Sequence, residues 1–295
     1  MTLSRRSVLI VLVVEAFVAA ALGAVVLDLR AHRRTEERMG VNTWGLRGTA
    51  TLVKRAGATR LVVLGGSAAY GYGLSWPNTF PHYFERALNQ GWRRKYRGLY
   101  TEVINLAGMG DGAASYTATL ADYAYLHPDA VCVYDGYADL GDPASARRQS
   151  VWFRRAGYVP VLFGASSPAG RAVVASALRD GGDPPDMDMS CEAGSARYCA
   201  AMAEAVEWAL ARQLPVLVVT PPHVSRRHAA QQQSLARTLA SRFASNRRYS
   251  YVDIGAHVDL HDPTWSVDGV YLTARGNQWV AETLADPMFD ALASR

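Results

Sequence analysis

The chain has 295 residues, which is enough for one large α/β domain or two small ones. Hydrophobic residues make up 49% of it, as expected for a packed core, and the formal net charge is +5. The basic residues lie in scattered pairs rather than in one stripe interleaved with aromatic residues, which argues against a nucleic-acid-binding protein. The same pairs suit a surface beside anionic lipid headgroups.

The N-terminus carries an apolar segment at residues 7–29 that is long enough to cross a bilayer as one helix. Glu15 interrupts this segment at a cost of a few kcal/mol. Arginines flank it on both sides, so the positive-inside rule does not fix its orientation. A cleaved signal peptide, with its site near residues 21–23, and a twin-arginine export signal at residues 4–9 are the alternatives. We expect a membrane-anchored chain with an extracytoplasmic domain, in a periplasm or at a cell surface.

The three cysteines bear on the compartment. Cys132 lies within an apolar run and is expected to be a small buried residue. Cys191 and Cys199 are close in sequence, and a disulfide between them would suit an oxidising compartment. Two unrelated thiols are the alternative, and the spacing matches no metal-binding motif. The sequence therefore implies neither a metal nor an organic cofactor.

Beyond the apolar segment, residues 30–59 form a polar, arginine-rich connector, and residues 60–295 show strand and helix patterns in alternation. The predicted strands are apolar runs without polar alternation, as in a parallel sheet that is covered on both faces. They lie at residues 60–64, 101–106, 130–134, 215–220 and 250–254. The predicted helices lie at residues 77–90, 113–126, 196–212, 229–244 and 274–291. This order predicts a three-layer α/β sandwich around a five-stranded parallel sheet.

The alternation is broken at residues 141–196, which we interpret as an insertion over one end of the sheet. Ligands of such sheets bind where the strands end. Glycines and short polar residues follow each predicted strand, so they are expected to meet at one edge. The segments concerned are Gly65-Gly66-Ser67 and residues 105–112, 134–142, 221–224 and 266–277.

In their order and placement, these segments resemble the conserved blocks of the SGNH, or GDSL-type, hydrolases, and the resemblance covers residues 41–290. Residues 42–48 also resemble a lead-in common in membrane-attached bacterial members. The resemblance implies a flavodoxin-like SGNH hydrolase fold behind one N-terminal membrane helix. It implies that Ser67 is the nucleophile, and that Gly110 (or Gly108) donates a backbone N–H to the oxyanion. It further implies that Asp268 orients a general base.

Two positions depart from the family pattern. The third block of the family reads Gly-x-Asn-Asp, and here Ala138 stands where the asparagine amide would stabilise the oxyanion. The last block reads Asp-x-x-His, and here Tyr271 stands where the histidine base would be. A serine hydroxyl is a poor nucleophile until a base takes its proton, and a phenol with a pKa near 10 is seldom ionised at neutral pH. The two replacements leave it open whether the chain is an active enzyme.

Other residues of the same segments have alternative roles. His223 follows the fourth strand, on the same edge as Ser67, and is the histidine that we favour as a replacement base. The alternatives are His257 and His261, which shortly precede Asp268, whereas His82 and His127 are expected to be structural or exposed. Tyr271 is better suited to packing or substrate binding than to acting as a base. Asp139 is expected to hold its loop by accepting backbone N–H groups, and Asp268 has the same alternative role.

Two hypotheses on function follow from the resemblance. The first is a membrane-anchored serine ester hydrolase or acyl transferase that acts on acyl or acetyl esters of lipid or carbohydrate. The second is a catalytically degenerate relative that binds a glycan, lipid or protein partner in the same cleft. Ser67 and Asp268 favour the first hypothesis, and Ala138 and Tyr271 favour the second.

Overall fold

The computed structural model describes residues 5–40, 42, 44–49, 53–95, 100–140 and 188–293. Of the predicted insertion at residues 141–196, residues 141–187 lie outside the described residues.

The centre of the domain is a five-stranded parallel sheet with the strand order β2-β1-β3-β4-β5. Val62 on β1, the second strand of the sheet, stands opposite Ile104 on β2 and Val131 on β3. Every residue of β3 and β4 is buried, because both faces of the sheet are covered by helices and the strands consist of apolar residues. The strands are β1 (Ala58–Leu64), β2 (Tyr100–Asn105), β3 (Ala130–Tyr134), β4 (Val216–Thr220) and β5 (Tyr249–Asp253).

Helices cover both faces of the sheet and create two hydrophobic cores. The α-helices in the described part of the chain are α1 (Arg5–Met39), which belongs to neither core, α2 (Ser67–Tyr70), α3 (Phe80–Lys95), α4 (Tyr116–Asp122), α5 (Ala196–Leu210), α6 (Arg226–Phe243) and α7 (Ala274–Ala293). One core packs α3 and α7 against the sheet through residues such as Phe84 and Leu284. The other core packs α4, α5 and α6 against the opposite face, for example through Leu120 and Val206. The predicted three-layer sandwich is confirmed.

Helix α1 contains an apolar stretch, Arg5–Ala31, which is long enough to cross a membrane. Its most apolar part is exposed, whereas Asp28 near its end is buried. In the described part of the chain it is the one helix with this length and composition. A membrane anchor and a signal sequence both fit these properties. The helix continues to Met39, ten residues beyond the predicted end of the apolar segment at residue 29.

The chain then docks onto the domain through a compact loop. Gly40 lies so close to Trp76 that a Cβ on the glycine would be 2.4 Å from the Cβ of the tryptophan. The N–H of Gly48 donates to the carbonyl of Gly40 at 2.7 Å, and this bond closes the loop. Inside the loop, the side chain of Asn42 donates to the carbonyl of Gly48 at 2.8 Å. The first part of the predicted connector is therefore folded onto the domain.

Arg47 fastens this loop to the helix that begins at Ser67. Its backbone forms an antiparallel bridge with Asn105 at the end of β2. Its guanidinium donates to the carbonyls of Tyr70 at 2.8 Å and Gly71 at 2.7 Å, and also to that of Leu74. The guanidinium also lies over the ring of Tyr70, 4.5 Å from the ring centroid. Arg47 therefore holds the carbonyl end of α2.

A disulfide joins Cys191 to Cys199, with their Cα atoms 5.6 Å apart. Of the two alternatives left open by the sequence, the bonded one is present. Cys132 is a free, fully buried thiol, as expected, and burial raises its pKa.

Candidate active site

Ser67 is placed at the carboxyl end of β1 by a turn that requires glycine. A Cβ at Gly65 would lie 2.3 Å from the carbonyl oxygen of Tyr134 and 2.5 Å from the Cβ of Ala69, so no larger residue fits. After Gly66, Ser67 opens α2 with 5% of its surface exposed. The serine is thus presented at the sheet edge, as predicted from the order of the segments.

The hydroxyl of Ser67 is hydrogen-bonded by Tyr271, whose Oη donates to Oγ at 3.0 Å. The ring of Tyr271 is mostly buried and packs against Tyr72, with the ring centroids 4.8 Å apart. Within the described residues, no imidazole makes a hydrogen bond to the hydroxyl of Ser67. Tyr271 therefore occupies the place at which the family would put its base.

The surroundings of Tyr271 keep its phenol protonated. Burial raises its pKa, and the nearby charge of Asp268 acts in the same direction, while the hydrogen bond to Ser67 acts against them. A neutral phenol is a hydrogen-bond donor and a very weak base. In this geometry Tyr271 holds the serine hydroxyl without activating it.

Asp268 shapes the turn that presents Tyr271. Its Oδ1 accepts the backbone N–H groups of Val270 at 3.1 Å and of Tyr271 at 2.9 Å. Ser266 adds to the turn by accepting from the N–H of Gly269 and donating to the carbonyl of Tyr271, both at 3.0 Å. Because Tyr271 contacts both Ser67 and Asp268, the hydroxyl and the carboxylate lie at the same edge of the sheet.

The second segment supplies the candidate oxyanion donor. The N–H of Gly108 is engaged by the carbonyl of Gly65 at 3.2 Å, so it is not free to face a ligand. Gly110 lies in the next turn with a φ of 81°, a conformation that glycine adopts without strain. These observations favour Gly110 over Gly108 for the predicted role.

The third segment places Ala138 beside the nucleophile turn. A Cβ on Gly66 would be 3.6 Å from the Cβ of Ala138. Residue 138 therefore presents a methyl group, and no amide, to the turn that carries Ser67. Asp139 accepts the N–H of Ala113 at 3.0 Å, and so holds the second and third segments together. This is the role that we expected for Asp139.

Asp135 is a functional candidate that the sequence reasoning missed. It is 3% exposed, its Oδ1 accepts the N–H of Gly66 at 3.2 Å, and the hydroxyl of Tyr116 donates to its Oδ2. Burial and the charge of Asp139 raise the pKa of Asp135 well above its ordinary value, and burial also raises the pKa of Asp139. The two carboxyls therefore lie close enough for their charges to interact, directly behind the turn that carries Ser67. The available signal was its position as the first polar residue after an apolar run.

His223 lies at the end of the neighbouring strand β4, but it contacts other groups. Its backbone N–H donates to the carbonyl of Gly255 at 3.0 Å. Its imidazole ring contacts that of His228 edge-on, with 5.6 Å between the ring centroids. Burial lowers the pKa of His223, and that of the deeply buried His228 falls to about 3. In the described part of the chain, no hydrogen bond joins His223 to Ser67 or Tyr271, so its role as replacement base stays a prediction.

A cavity of ≈ 10 Å³ lies beside the Ser67–Tyr271 pair. It is lined by residues that include Ala68, Tyr72, Tyr137, Val270 and Tyr271. This volume is about that of one water, and Ser67 itself does not line the cavity. Among the described residues, no group of three or more His, Cys, Asp and Glu side chains is placed to hold a metal ion.

No protein-family model matches the sequence, and no curated protein gives a significant match. Among solved structures, the chain is similar to TesA, with 15% identity and a TM-score of 0.49 over 79% of this chain and 99% of that one. It is similar to a member of the lipolytic G-D-S-L family from Veillonella parvula, with 10% identity and a TM-score of 0.48 over 77% and 97% of the two chains. A catalytic mutant of the acetylxylan esterase Axe2 from Geobacillus stearothermophilus shows 14% identity and a TM-score of 0.47 over 79% and 94%. The strand order is that of a flavodoxin-like doubly wound sheet, and the motif segments meet at one edge of it, as the resemblance to the SGNH, or GDSL-type, hydrolases predicts.

Proposed function

We propose that this chain is a membrane-anchored serine ester hydrolase or acyl transferase that acts slowly on acyl or acetyl esters of lipid or carbohydrate. The observation that carries the proposal is the Ser67 hydroxyl, which is held at the sheet edge by Tyr271 at 3.0 Å. A hydroxyl on a strand-end turn, beside free backbone N–H groups, is the arrangement that acyl transfer requires.

In the proposed reaction, the Oγ of Ser67 bonds to the ester carbonyl carbon and the bond from that carbon to the alcohol oxygen breaks. The backbone N–H groups of Ser67 and Gly110 stabilise the oxyanion. The phenol O–H, which donates to Ser67 in the resting structure, must first turn towards the departing alcohol. Tyr271 then gives this proton to the alcohol oxygen while its own oxygen accepts the proton of Ser67, so the ring gains no net charge. Water then releases the acid from Ser67 in hydrolysis, or a second alcohol accepts the acyl group in transfer. Asp268 acts as a positioning residue, because it fixes the backbone of Tyr271.

Slow turnover follows from the same geometry. A phenol whose pKa is raised by burial is a much weaker base than an imidazole at neutral pH. The methyl group of Ala138 also replaces an amide donor, and the loss of one such donor costs on the order of 10²- to 10³-fold in kcat.

The anchor and the compartment are part of the proposal. Helix α1 has the length and composition of a membrane span. The disulfide between Cys191 and Cys199 is of the kind that persists in oxidising compartments. Both features support a domain that is held at the outer surface of a membrane, in a periplasm or at a cell surface.

A second candidate is a protein that binds an ester-bearing partner without turning it over. The specific observation in its favour is that Tyr271 donates to Ser67, which leaves the serine proton with no base to receive it.

One experiment separates the two candidates. The full chain in detergent micelles is treated with a fluorophosphonate probe and with a p-nitrophenyl acyl ester, and the wild type is compared with Ser67→Ala. The proposed function predicts slow hydrolysis and probe labelling that Ser67→Ala abolishes; equal signals from both proteins reject it. The double variant Tyr271→His with Ala138→Asn tests the assignment of roles.

The double variant is compared with a triple variant that also carries Ser67→Ala. If the wild type is silent and the double variant gains hydrolysis that the triple variant lacks, the chain is the non-catalytic relative. If the double variant gains nothing, the roles given to Tyr271 and Ala138 are wrong.

A further inference from the structure

The chain reaches the two ends of the sheet in a definite order after leaving α1. Immediately after Met39, Gly40 packs against Trp76, and Arg47 then binds the carbonyls of α2. Both contacts belong to the carboxyl edge, where Ser67 lies. The opposite edge is reached later, where Lys54 forms an ion pair with Asp129, just before β3. The catalytic edge is therefore the edge of the domain nearest to α1.

Helix α1 also sets the height of that edge above the membrane. The apolar stretch ends at Ala31, and the helix continues without interruption to Met39. Residues 32–39 have the sequence HRRTEERM, which is too polar for a bilayer interior. Eight residues at about 1.5 Å each raise the end of the helix roughly 12 Å above the apolar edge. The 27 residues Arg5–Ala31 span roughly 40 Å, more than a hydrocarbon core of about 30 Å, so Ala31 already lies within or beyond the headgroup layer and Gly40 lies beyond it.

The attachment is rigid rather than a loose tether. The loop from Gly40 to Gly48 is closed by a backbone hydrogen bond of 2.7 Å, and Arg47 binds three carbonyls of the segment that begins at Ser67. A folded connection of this kind keeps the orientation of the domain, whereas a flexible linker of similar length would let it turn freely.

From this placement we propose that the Ser67 edge faces the membrane of the chain's own anchor, and that its substrate is an ester carried by the headgroup or glycan of a membrane lipid. The inference rests on the proposed function for the anchor and for the ester chemistry. An acyl ester at the glycerol level lies at the edge of the hydrocarbon core, at least about 12 Å below Gly40. An ester on a headgroup sugar or an attached glycan extends from the membrane towards Gly40 and the Ser67 edge.

The test uses two matched single-cysteine variants of the full chain in vesicles, and it requires no catalytic activity. Val267 lies in the loop that carries Tyr271 and is 69% exposed; Val53 precedes Lys54 near the opposite edge and is 82% exposed. Val267→Cys and Val53→Cys are each labelled with a thiol-reactive fluorophore, which is selective because the native cysteines are bonded or buried. Nitroxides on lipid headgroups and at the middle of acyl chains serve as quenchers.

The inference predicts that headgroup nitroxides quench the label at residue 267 at least threefold more than the label at residue 53. It also predicts that they quench the label at residue 267 more than the acyl-chain nitroxides do. Equal quenching at the two positions, or stronger quenching at residue 53, overturns the orientation while the anchor stands. Stronger quenching of residue 267 by acyl-chain nitroxides overturns the height and the headgroup assignment. If the chain does not float with the vesicles, the anchor of the proposed function fails, and this inference fails with it.

Discussion

The carboxyl pair behind Ser67 leads to a sharp prediction on stability. Asp135 is buried and bonded to the N–H of Gly66 and to Tyr116, and burial together with the nearby charge of Asp139 raises its pKa. Replacing Asp135 with Asn keeps the shape and an oxygen that accepts from Gly66, and it removes the group that titrates. We expect Asp135→Asn to fold and to lose the pH dependence that the carboxyl of Asp135 causes.

The sign and size follow from proton linkage. The pKa of Asp135 is raised in the folded state, so above the unfolded value near 4 the folded chain holds a proton that the unfolded chain has released. The stability contributed by this group is therefore full below pH 4 and is lost as pH rises toward the folded pKa, by up to about 1.4 kcal/mol per pH unit. Between the unfolded pKa and the folded pKa, the wild type should therefore lose about 1.4 kcal/mol per pH unit that Asp135→Asn retains.

The assay is urea unfolding of the full chain in detergent micelles from pH 4 to pH 9, followed by tryptophan fluorescence. Asp290→Asn, at an exposed position of α7, is the matched control and should leave the slope of the wild type unchanged. If Asp135→Asn shows the same decline in stability with pH as the wild type, then Asp135 does not hold a proton in the folded state and the reasoning is refuted.

Three further variants test other contacts. Arg47→Lys should destabilise the domain by about 2–3 kcal/mol, because one ammonium cannot replace a buried guanidinium bonded to three carbonyls; urea unfolding measures this, and a loss under 0.5 kcal/mol contradicts it. Tyr271→Phe removes the donor to Ser67 and should cost about 1 kcal/mol while abolishing Ser67-dependent hydrolysis; hydrolysis at the wild-type rate would exclude the proposed proton relay. Replacing Cys191 and Cys199 together with Ser should cost about 2.5 kcal/mol for a loop of this length, and dithiothreitol should shift the wild type equally but leave the variant unchanged.

The fold was largely predictable because its strands contain short runs of apolar residues between turn-forming segments. The predicted strand at residues 130–134 coincides with β3, and the other four agree with the structure to within two residues at each end. Helix boundaries were less certain. The helix predicted at residues 77–90 begins at Phe80 because Thr79 is extended, with φ −94° and ψ 156°. The helix predicted at residues 113–126 is α only from Tyr116 to Asp122, with 3-10 turns on both sides.

The site was predictable only as far as the segments reveal it. The placement of Ser67 and Tyr271 at one edge followed from strand order. Asp135 was missed because an aspartate after a strand is ordinarily expected at the surface, and its hydrogen-bond partners Gly66 and Tyr116 come from other segments. The role of Arg47 was also hidden, since local sequence does not show that a residue of the connector reaches the carbonyls of α2.

The clamp formed by Arg47 defines which stretch of chain must stay together. Proteolysis between Ala31 and Gly40 would shed the anchor and leave the guanidinium on the released domain. Proteolysis between residues 49 and 58 would leave Arg47 on the membrane-anchored fragment, so that it is no longer covalently joined to the domain whose α2 carbonyls it binds. The two shed forms would differ in how well Ser67 is held. A recombinant fusion to another anchor would accordingly be joined before Gly40 and not at the start of β1.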